Sequence, residues 1–409
     1  MKVLHTSDWH IGRALYGRKR YEEQEAFLNW LARLVEENSI DVLLVAGDIF
    51  DNSTPGNQAQ GLYYRFLCRM AALPNRHVVV TAGNHDSPSF LSAPKELLKF
   101  LNIHVVGGAS EVPSEEVIVL AGPDHQARLI VCAVPYLRDR DLRTAEAGES
   151  VADKERKLIE GIRRHYRCVC EAAEEKCARL QKRVPIIVMG HLFTAGGQTA
   201  EGDGVRELYI GSLAQVGADV FPPGIDYLAL GHLHIPQKVG GADCIRYSGS
   251  PLPIGFGEGG QDKSVVQLEF SGTLPQITNI PVPRFQELKI LRGDWPVIAR
   301  EIDALRLQGS SAWLEIVYEG EDIAGDLRER LDEEIAGTRL EVLRVKNNRI
   351  WERALNGMDE EETLDDLNAV DVFQRCLEAQ QVPEEQRGPL LSAYREVVAA
   401  LHEEDPQAD

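Results

Sequence analysis

Five short polar clusters each follow an apolar run in this 409-residue chain: Asp8-Trp9-His10, Gly47-Asp48, Gly83-Asn84-His85-Asp86, Gly190-His191 and Gly231-His232-Leu233-His234. Carboxylate oxygens, an amide oxygen and imidazole nitrogens in this mixture suit borderline first-row cations such as manganese, iron or zinc. Asp8 and His10, two residues apart beyond a strand, point to the same side and can grip one ion. Asp48 has two oxygens with which to bridge a second, Asn84 offers its amide oxygen to that ion, and His191, His232 and His234 complete the two shells. A pair of ions roughly 3.5 to 4 Å apart polarises a phosphodiester, acidifies a shared water and stabilises the leaving oxygen. His85 follows the ligand Asn84 without being a ligand itself. Its imidazole is left to face the scissile phosphate as a proton donor or transition-state stabiliser, with Asp86 expected to orient it through the other ring nitrogen. Asp51, completing Gly-Asp-x-x-Asp, reads either as support behind the ligands or as a loop cap.

The runs ahead of these clusters are Lys2-Val3-Leu4, Val42-Leu43-Leu44-Val45, Val78-Val79-Val80, Ile186-Ile187-Val188 and Tyr227-Leu228-Ala229-Leu230, short and rich in residues of buried strands. In an open α/β sheet, side chains beyond the carboxyl ends of the strands converge on one crevice, so clusters far apart in the chain can meet. Between the strands, residues 22–37 carry Phe27, Leu28, Leu31, Leu34 and Val35 on one helical face. Residues 58–72, 94–101 and 151–183 are further helices, and 129–134 and 264–270 are strands. The Gly-rich stretches 194–204 and 255–260 read as a mobile loop and a turn. After Pro281-Val282-Pro283 the pattern restarts as a small α+β unit, with strands at 287–291, 312–317 and 340–345 and helices at 297–307 and 326–335. Helical candidates at 364–380 and 389–403 close the chain. The expected domains are 1–280, 284–350 and 364–409.

No apolar run approaches the ~18 to 20 residues of a membrane span, and the N-terminus enters a strand with no signal-peptide pattern, so the expectation is a soluble cytoplasmic protein. Seven cysteines form no CxxC pair, which argues against a thiolate metal site or a disulfide framework. The net charge of −20 disfavours nucleic acid at first sight. Residues 301–409 hold 28 acidic and 11 basic side chains, so most of that charge lies in the C-terminal part, and residues 1–300 are nearly balanced. Arg13, Arg18, Lys19 and Arg20 are a candidate DNA-phosphate contact there, the plainer reading being a solvated, helix-capping loop.

The five clusters follow D-x-H, G-D-x-x-D, G-N-H-[ED], G-H and G-H-x-H, a pattern that resembles the calcineurin-like metallophosphoesterase superfamily. The segments that carry it include Leu4-His5-Thr6-Ser7-Asp8-Trp9-His10-Ile11-Gly12, Ala46-Gly47-Asp48-Ile49-Phe50-Asp51, Ala82-Gly83-Asn84-His85-Asp86-Ser87 and Tyr247-Ser248-Gly249-Ser250-Pro251. The resemblance runs along the whole chain, strongly to about residue 280. It implies an α/β fold: a β-sandwich flanked by helices, with the α+β unit as capping domain and the C-terminal helices as a partner-binding segment. It further implies two divalent ions, manganese by preference, one held by Asp8, His10, Asp48 and His234 and the other by Asp48, Asn84, His191 and His232. The implied activity is ATP-dependent exonuclease action on double-stranded DNA ends, with endonuclease cutting of single strands and hairpins.

A coiled-coil ATPase is the implied partner. This chain has no Gly-x-x-x-x-Gly-Lys-[Ser/Thr] loop, so ATP hydrolysis falls to that partner. The helices near 58–72 and 92–101 lie where such proteins form homodimers, which makes Leu62, Phe66 and Met70, together with Leu97 and Leu101, candidate interface residues. The rivals are a phosphatase or small-molecule phosphodiesterase and a non-catalytic scaffold. Asn52 and Ser53 stand where the superfamily's protein phosphatases carry Arg-Gly, which favours a diester, and the ligand set with His85 disfavours a scaffold.

Overall fold

The structure is a computed structural model that describes residues 1–142, 149–180, 182–194, 217–320, 327–347, 373–374, 377 and 387–395. The C-terminal helical segment expected at 364–409 and the loop expected at 194–204 lie largely outside the described residues. The chain divides into two units, Met1–Leu288 and Lys289–Asp409.

The first unit begins with β1 (Lys2–Thr6), a hairpin of β2 (Ala14–Leu15) and β3 (Arg18–Lys19), α1 (Tyr21–Glu37), β4 (Val42–Ala46), α2 (Asn57–Ala72) and β5 (His77–Thr81). Short helices α3 (Pro88–Ser92) and α4 (Lys95–Lys99) lead to β6 (Ile103–Val106), β7 (Val117–Ala121), β8 (Ala127–Ala133), α5 (Asp139–Leu142) and the long α6 (Val151–Ala178). Then come β9 (Ile186–His191), β10 (Tyr227–Gly231), β11 (Gln237–Val239), β12 (Ala242–Tyr247), β13 (Ser264–Phe270) and β14 (Pro275–Pro281). They form two six-stranded sheets, in the orders β14-β13-β1-β4-β5-β6 and β11-β12-β10-β9-β8-β7.

The sandwich follows from the two-residue period of the strands. In β4, Val42, Leu44 and Ala46 enter the core between the sheets, where they meet Ile187 and Met189 of β9 and Tyr227 and Ala229 of β10. The alternate residues, Leu43 and Val45, join the core under α1 and α2. The second sheet repeats the arrangement, with Val188, Leu228 and Leu230 packed beside Ile162, Tyr166, Val169 and Ala173 of α6. Strands buried on both faces need continuous apolar sequence, which is why β4 has no polar residue. β1, β4, β5 and β6 are mutually parallel, as are β8, β9, β10 and β12. Each parallel set ends its strands at one edge of its sheet, and the five polar clusters lie there.

The second unit has β15 (Leu288–Gly293), α7 (Trp295–Leu307), β16 (Trp313–Tyr318), α8 (Leu327–Ile335) and β17 (Glu341–Asn347), with the sheet order β15-β16-β17. Its own core gathers Leu291, Ile298, Ile302, Leu314, Ile316, Leu331 and Val342. Near the C-terminus, the Phe373 and Tyr394 rings stack with centroids 4.1 Å apart. Among the described residues no helix is long and apolar enough to cross a membrane.

The structure corrects the α2 part of the expected dimer contact. Leu62, Phe66 and Met70 are buried at 4%, 4% and 1% exposure in the core beneath α2, and the Phe66 ring meets Trp9 edge-on at 5.3 Å. Helical periodicity marked them as one apolar face, and that face covers the chain's own sheet. Phe66→Asp is therefore expected to unfold the chain rather than release a folded monomer. Losing a core Phe costs about 3 to 5 kcal/mol and the buried carboxylate several more, against a total stability of roughly 5 to 15 kcal/mol. Far-UV circular dichroism of the variant checks this, and a native spectrum with an unchanged melting curve would refute it.

Candidate metal centre

Parallel pairing continues past the ends of β1 and β4 and carries the first ligands into place. Asp8 N–H donates to Gly47 O at 3.0 Å, His10 N–H to Asp48 O at 3.0 Å and Ile11 N–H to Ile49 O at 2.9 Å. The chain turns sharply to achieve this. Asp8, His10, Asp48 and His232 all have positive φ, at 53°, 44°, 50° and 103°, a region that costs non-glycine residues roughly 1 to 3 kcal/mol each and is typical of functional sites. The neighbouring glycines are needed for clearance. A Cβ on Gly47, itself at φ 84°, would lie 2.1 Å from His191 Nδ1, and one on Gly83 would lie 2.1 Å from Asp48 Oδ1.

The seven candidate ligands converge in two sets. Asp8, His10 and His234 offer atoms within 4.8 Å of one another, and so do Asp48, His191 and His232. Asp48 lies towards both sets, its Oδ2 3.3 Å from His191 Nε2 and 3.6 Å from His10 Nε2. Asn84 Oδ1 is 3.1 Å from His191 Nε2 and 3.0 Å from His232 Nδ1. Asp8, His10, Asp48, His191, His232 and His234 are all at most 5% exposed. Among the described residues, two buried carboxylates without a Lys or Arg partner and a buried His10 whose ring nitrogens make no hydrogen bond are costly in a dry interior. Divalent cations resolve that cost, and the oxygen and imidazole donor set fits them.

The residues behind the ligands fix their orientation. His191 Nδ1–H donates to Ala46 O at 2.9 Å, which turns Nε2 to the site. His10 Nδ1 stands 3.4 Å from Asp51 Oδ1, and Arg13 Nη1 donates to the same oxygen at 3.0 Å. Of the two readings of Asp51, the structure favours support behind His10. Asp8 accepts from Ser7 Oγ and from His232 N–H at 2.9 Å, and Ser7 Oγ is in turn 2.8 Å from Ser248 Oγ.

Electrostatics separate the imidazoles. Burial lowers the pKa of His10 and, with help from His191, that of His232, so both present lone pairs at neutral pH. Burial opposes a charge on His191 too, but the Asp48 carboxylate overrides it and raises this pKa to about 9. Burial alone would raise Asp48, yet His191, His85 and His10 hold it well below the usual carboxylate range. Loading a cation against His191 Nε2 requires its proton to leave. Divalent-cation affinity at this position is therefore expected to rise about tenfold per pH unit from pH 7 to about 9 and then flatten. Calorimetric titrations in buffers of different ionisation enthalpy measure both the affinity and the released proton, and a flat profile over that window would contradict the assignment.

His85 is half-buried beside the ligands, its ring 4.9 Å from that of His10. Its Nδ1–H donates to the Asp51 backbone O at 2.8 Å, so Asp51 rather than Asp86 orients it. The Asp86 carboxylate instead accepts from the backbone N–H groups of Ile49, Phe50 and Gly83 at 3.1, 3.0 and 2.8 Å. The expected catalytic role of Asp86 is thus corrected: it ties the Gly83 turn to the end of β4.

The basic run is corrected in part. Arg20 is 3% exposed, with its guanidinium forked onto Glu23 at 2.7 and 2.9 Å and onto Pro253 O, so it braces the start of α1 and is buried away from solvent. Arg13 is engaged with Asp51 and Ile254 O. Arg18 and Lys19 are exposed on β3. Sequence reasoning also missed Tyr136, whose ring meets His191 edge-on at 6.3 Å, and Arg138, which donates to Asp86 O at 2.9 Å. They follow β8 with no motif to mark them.

A family model for calcineurin-like phosphoesterases matches residues 1–236, and one described as the type 5 capsule protein repressor C-terminal domain matches residues 284–381. The chain is 34% identical to the SbcD subunit of the SbcCD nuclease of Escherichia coli strain K12, over 98% of both chains. It belongs to the SbcD family of calcineurin-like phosphoesterases. Another SbcD relative, from Rhodobacter capsulatus, is 38% identical over 69% of this chain and 70% of its own. One from Bacillus subtilis is 36% identical over 65% of each. SbcD-family membership makes the chain a metal-dependent phosphoesterase, and the two clustered sets are candidates for holding its divalent cations.

Proposed function

We propose that this chain is the nuclease component of an SbcCD-type complex, cutting DNA phosphodiester bonds with two manganese ions. The observation that carries the reading is the pair of buried ligand sets with Asp48 between them, in a chain that matches an SbcCD nuclease component from end to end. One ion is held by Asp8, His10, Asp48 and His234, and the other by Asp48, Asn84, His191 and His232. When bound, the ions polarise the phosphodiester and acidify the attacking water.

The protein's own part is to orient and to move protons. With His85 Nδ1–H donating to the Asp51 carbonyl, Nε2 is the nitrogen that exchanges a proton with the substrate. Asp51 and Ala46 stand behind the His10 and His191 rings and orient them toward the ions. Asn52 and Ser53, exposed after Asp51, provide no arginine for a phosphomonoester, which favours a diester over a phosphoprotein.

The partner in this reading is the coiled-coil ATPase SbcC, bound by the segment 364–409, with 284–350 as the capping domain. DNA ends, hairpins and single strands are the substrates, and a homodimer within a heterotetramer is the assembly, acting in the cytoplasm at the nucleoid. Exposed Leu97, Phe100 and Leu101, at 68%, 88% and 42%, suit the dimer contact better than the buried face of α2. The test is a hairpin-DNA assay with manganese, with and without SbcC. Hairpin opening that requires manganese, and duplex-end degradation that also requires SbcC and ATP, are expected. Hydrolysis of phosphoserine peptides with intact DNA would overturn the reading.

A further inference from the structure

We infer that Glu258, locked in place by Lys263, is the positioning residue that sets the His234 imidazole for metal binding; the inference rests on the two-metal reading above. His234 lies just beyond the end of β10, and its Nδ1 faces Glu258 Oε1, 3.4 Å away. Both atoms are buried, and among the described residues neither has a hydrogen-bond partner. Two orphaned polar atoms facing each other are costly unless a small ring rotation joins them, and a cation seated on Nε2 would hold the ring in that orientation.

The other Glu258 oxygen is committed. Oε2 accepts from Ile254 N–H at 3.0 Å and from Lys263 Nζ at 2.5 Å. Lys263 Nζ donates further to His234 O at 3.0 Å and to Ser250 Oγ at 3.1 Å, so one ammonium clamps both the carboxylate and the backbone of the ligand. Glu258 is 0% exposed and Lys263 5%. A buried ion pair confers little stability over an apolar pair, so stability alone is a weak reason for this one. Its geometry gives a better reason. A carboxylate behind Nδ1 fixes the proton there, leaves the Nε2 lone pair for the metal and makes the imidazole a stronger donor. Asp51 behind His10, paired with Arg13, is built the same way. His191, in the other set, has the backbone carbonyl of Ala46 behind it.

The test is the double variant Glu258→Gln with Lys263→Met, which preserves side-chain size and leaves no unpaired buried cation. The Gln oxygen is needed by Ile254 N–H, so its NH₂ faces His234 Nδ1 and forces the ring proton onto Nε2. Manganese binding is measured by calorimetry and by the electron paramagnetic resonance of the spin-coupled ion pair. Wild type is expected to bind two ions. The variant is expected to lose about 10- to 100-fold in affinity at one site only, with the coupled signal replaced by that of a single ion. Glu258→Asp keeps the pair with Lys263 but withdraws the carboxylate from Nδ1. It is expected to show the same one-site loss, and it serves if the double variant does not fold. Two sites of unchanged affinity in a folded variant would overturn the inference and leave the two-metal reading standing. A wild-type chain that binds no manganese would overturn that reading and the inference with it.

Discussion

Asp48→Ala is expected to abolish nuclease activity and to weaken both metal positions together, the largest effect of any single substitution in the site. Asp48 Oδ2 lies within 3.6 Å of an imidazole from each set, and Oδ1 accepts the His85 backbone N–H at 3.0 Å. One change therefore removes the shared carboxylate and a tether of the His85 turn. The loss of rate should exceed the roughly 10² to 10⁴ that a single proton-transfer group contributes. Equilibrium dialysis against manganese, followed by a hairpin-cleavage assay, measures both effects. A variant that keeps one site at wild-type affinity would mean that Asp48 serves only one ion.

His85→Gln should behave in the opposite way with respect to metal. Among the described residues the His85 side chain hydrogen-bonds to the Asp51 carbonyl, and a Gln amide can donate to that same oxygen. Two ions should still bind, and DNA should still bind, while turnover falls by about 10² to 10⁴. Single-turnover kinetics with metal occupancy measured in parallel separates the two. A collapse of occupancy would make His85 a ligand.

The candidate ligands were legible because each cluster follows a buried strand, four of the five with a glycine at the turn, and parallel strands bring their carboxyl ends to one edge. Errors arose where sequence adjacency had to stand for direction. Asp86 follows His85, yet the turn points its carboxylate back to three N–H groups, and no spacing rule encodes that. Arg20 sits in a basic run that reads as solvated, but its partner Glu23 lies one helical turn away and Pro253 O reaches it from 233 residues along the chain. Phe66 shows that a 3.6-residue period marks an apolar face without saying what covers it. Among the strands that escaped notice, β6, β11 and β14 are edge strands that are short or polar, as in Pro275–Pro281 with its several exposed residues. Glu258 was hidden in a Gly-rich turn whose composition signals only a change of direction.

Anomalous diffraction at the manganese edge, from crystals of the full chain grown with manganese, tests the central claim most directly. Two peaks roughly 3.5 to 4 Å apart are expected, one against Asp8, His10 and His234, the other against Asn84, His191 and His232, with Asp48 between them. A single peak, or a pair that Asp48 does not bridge, would contradict the account.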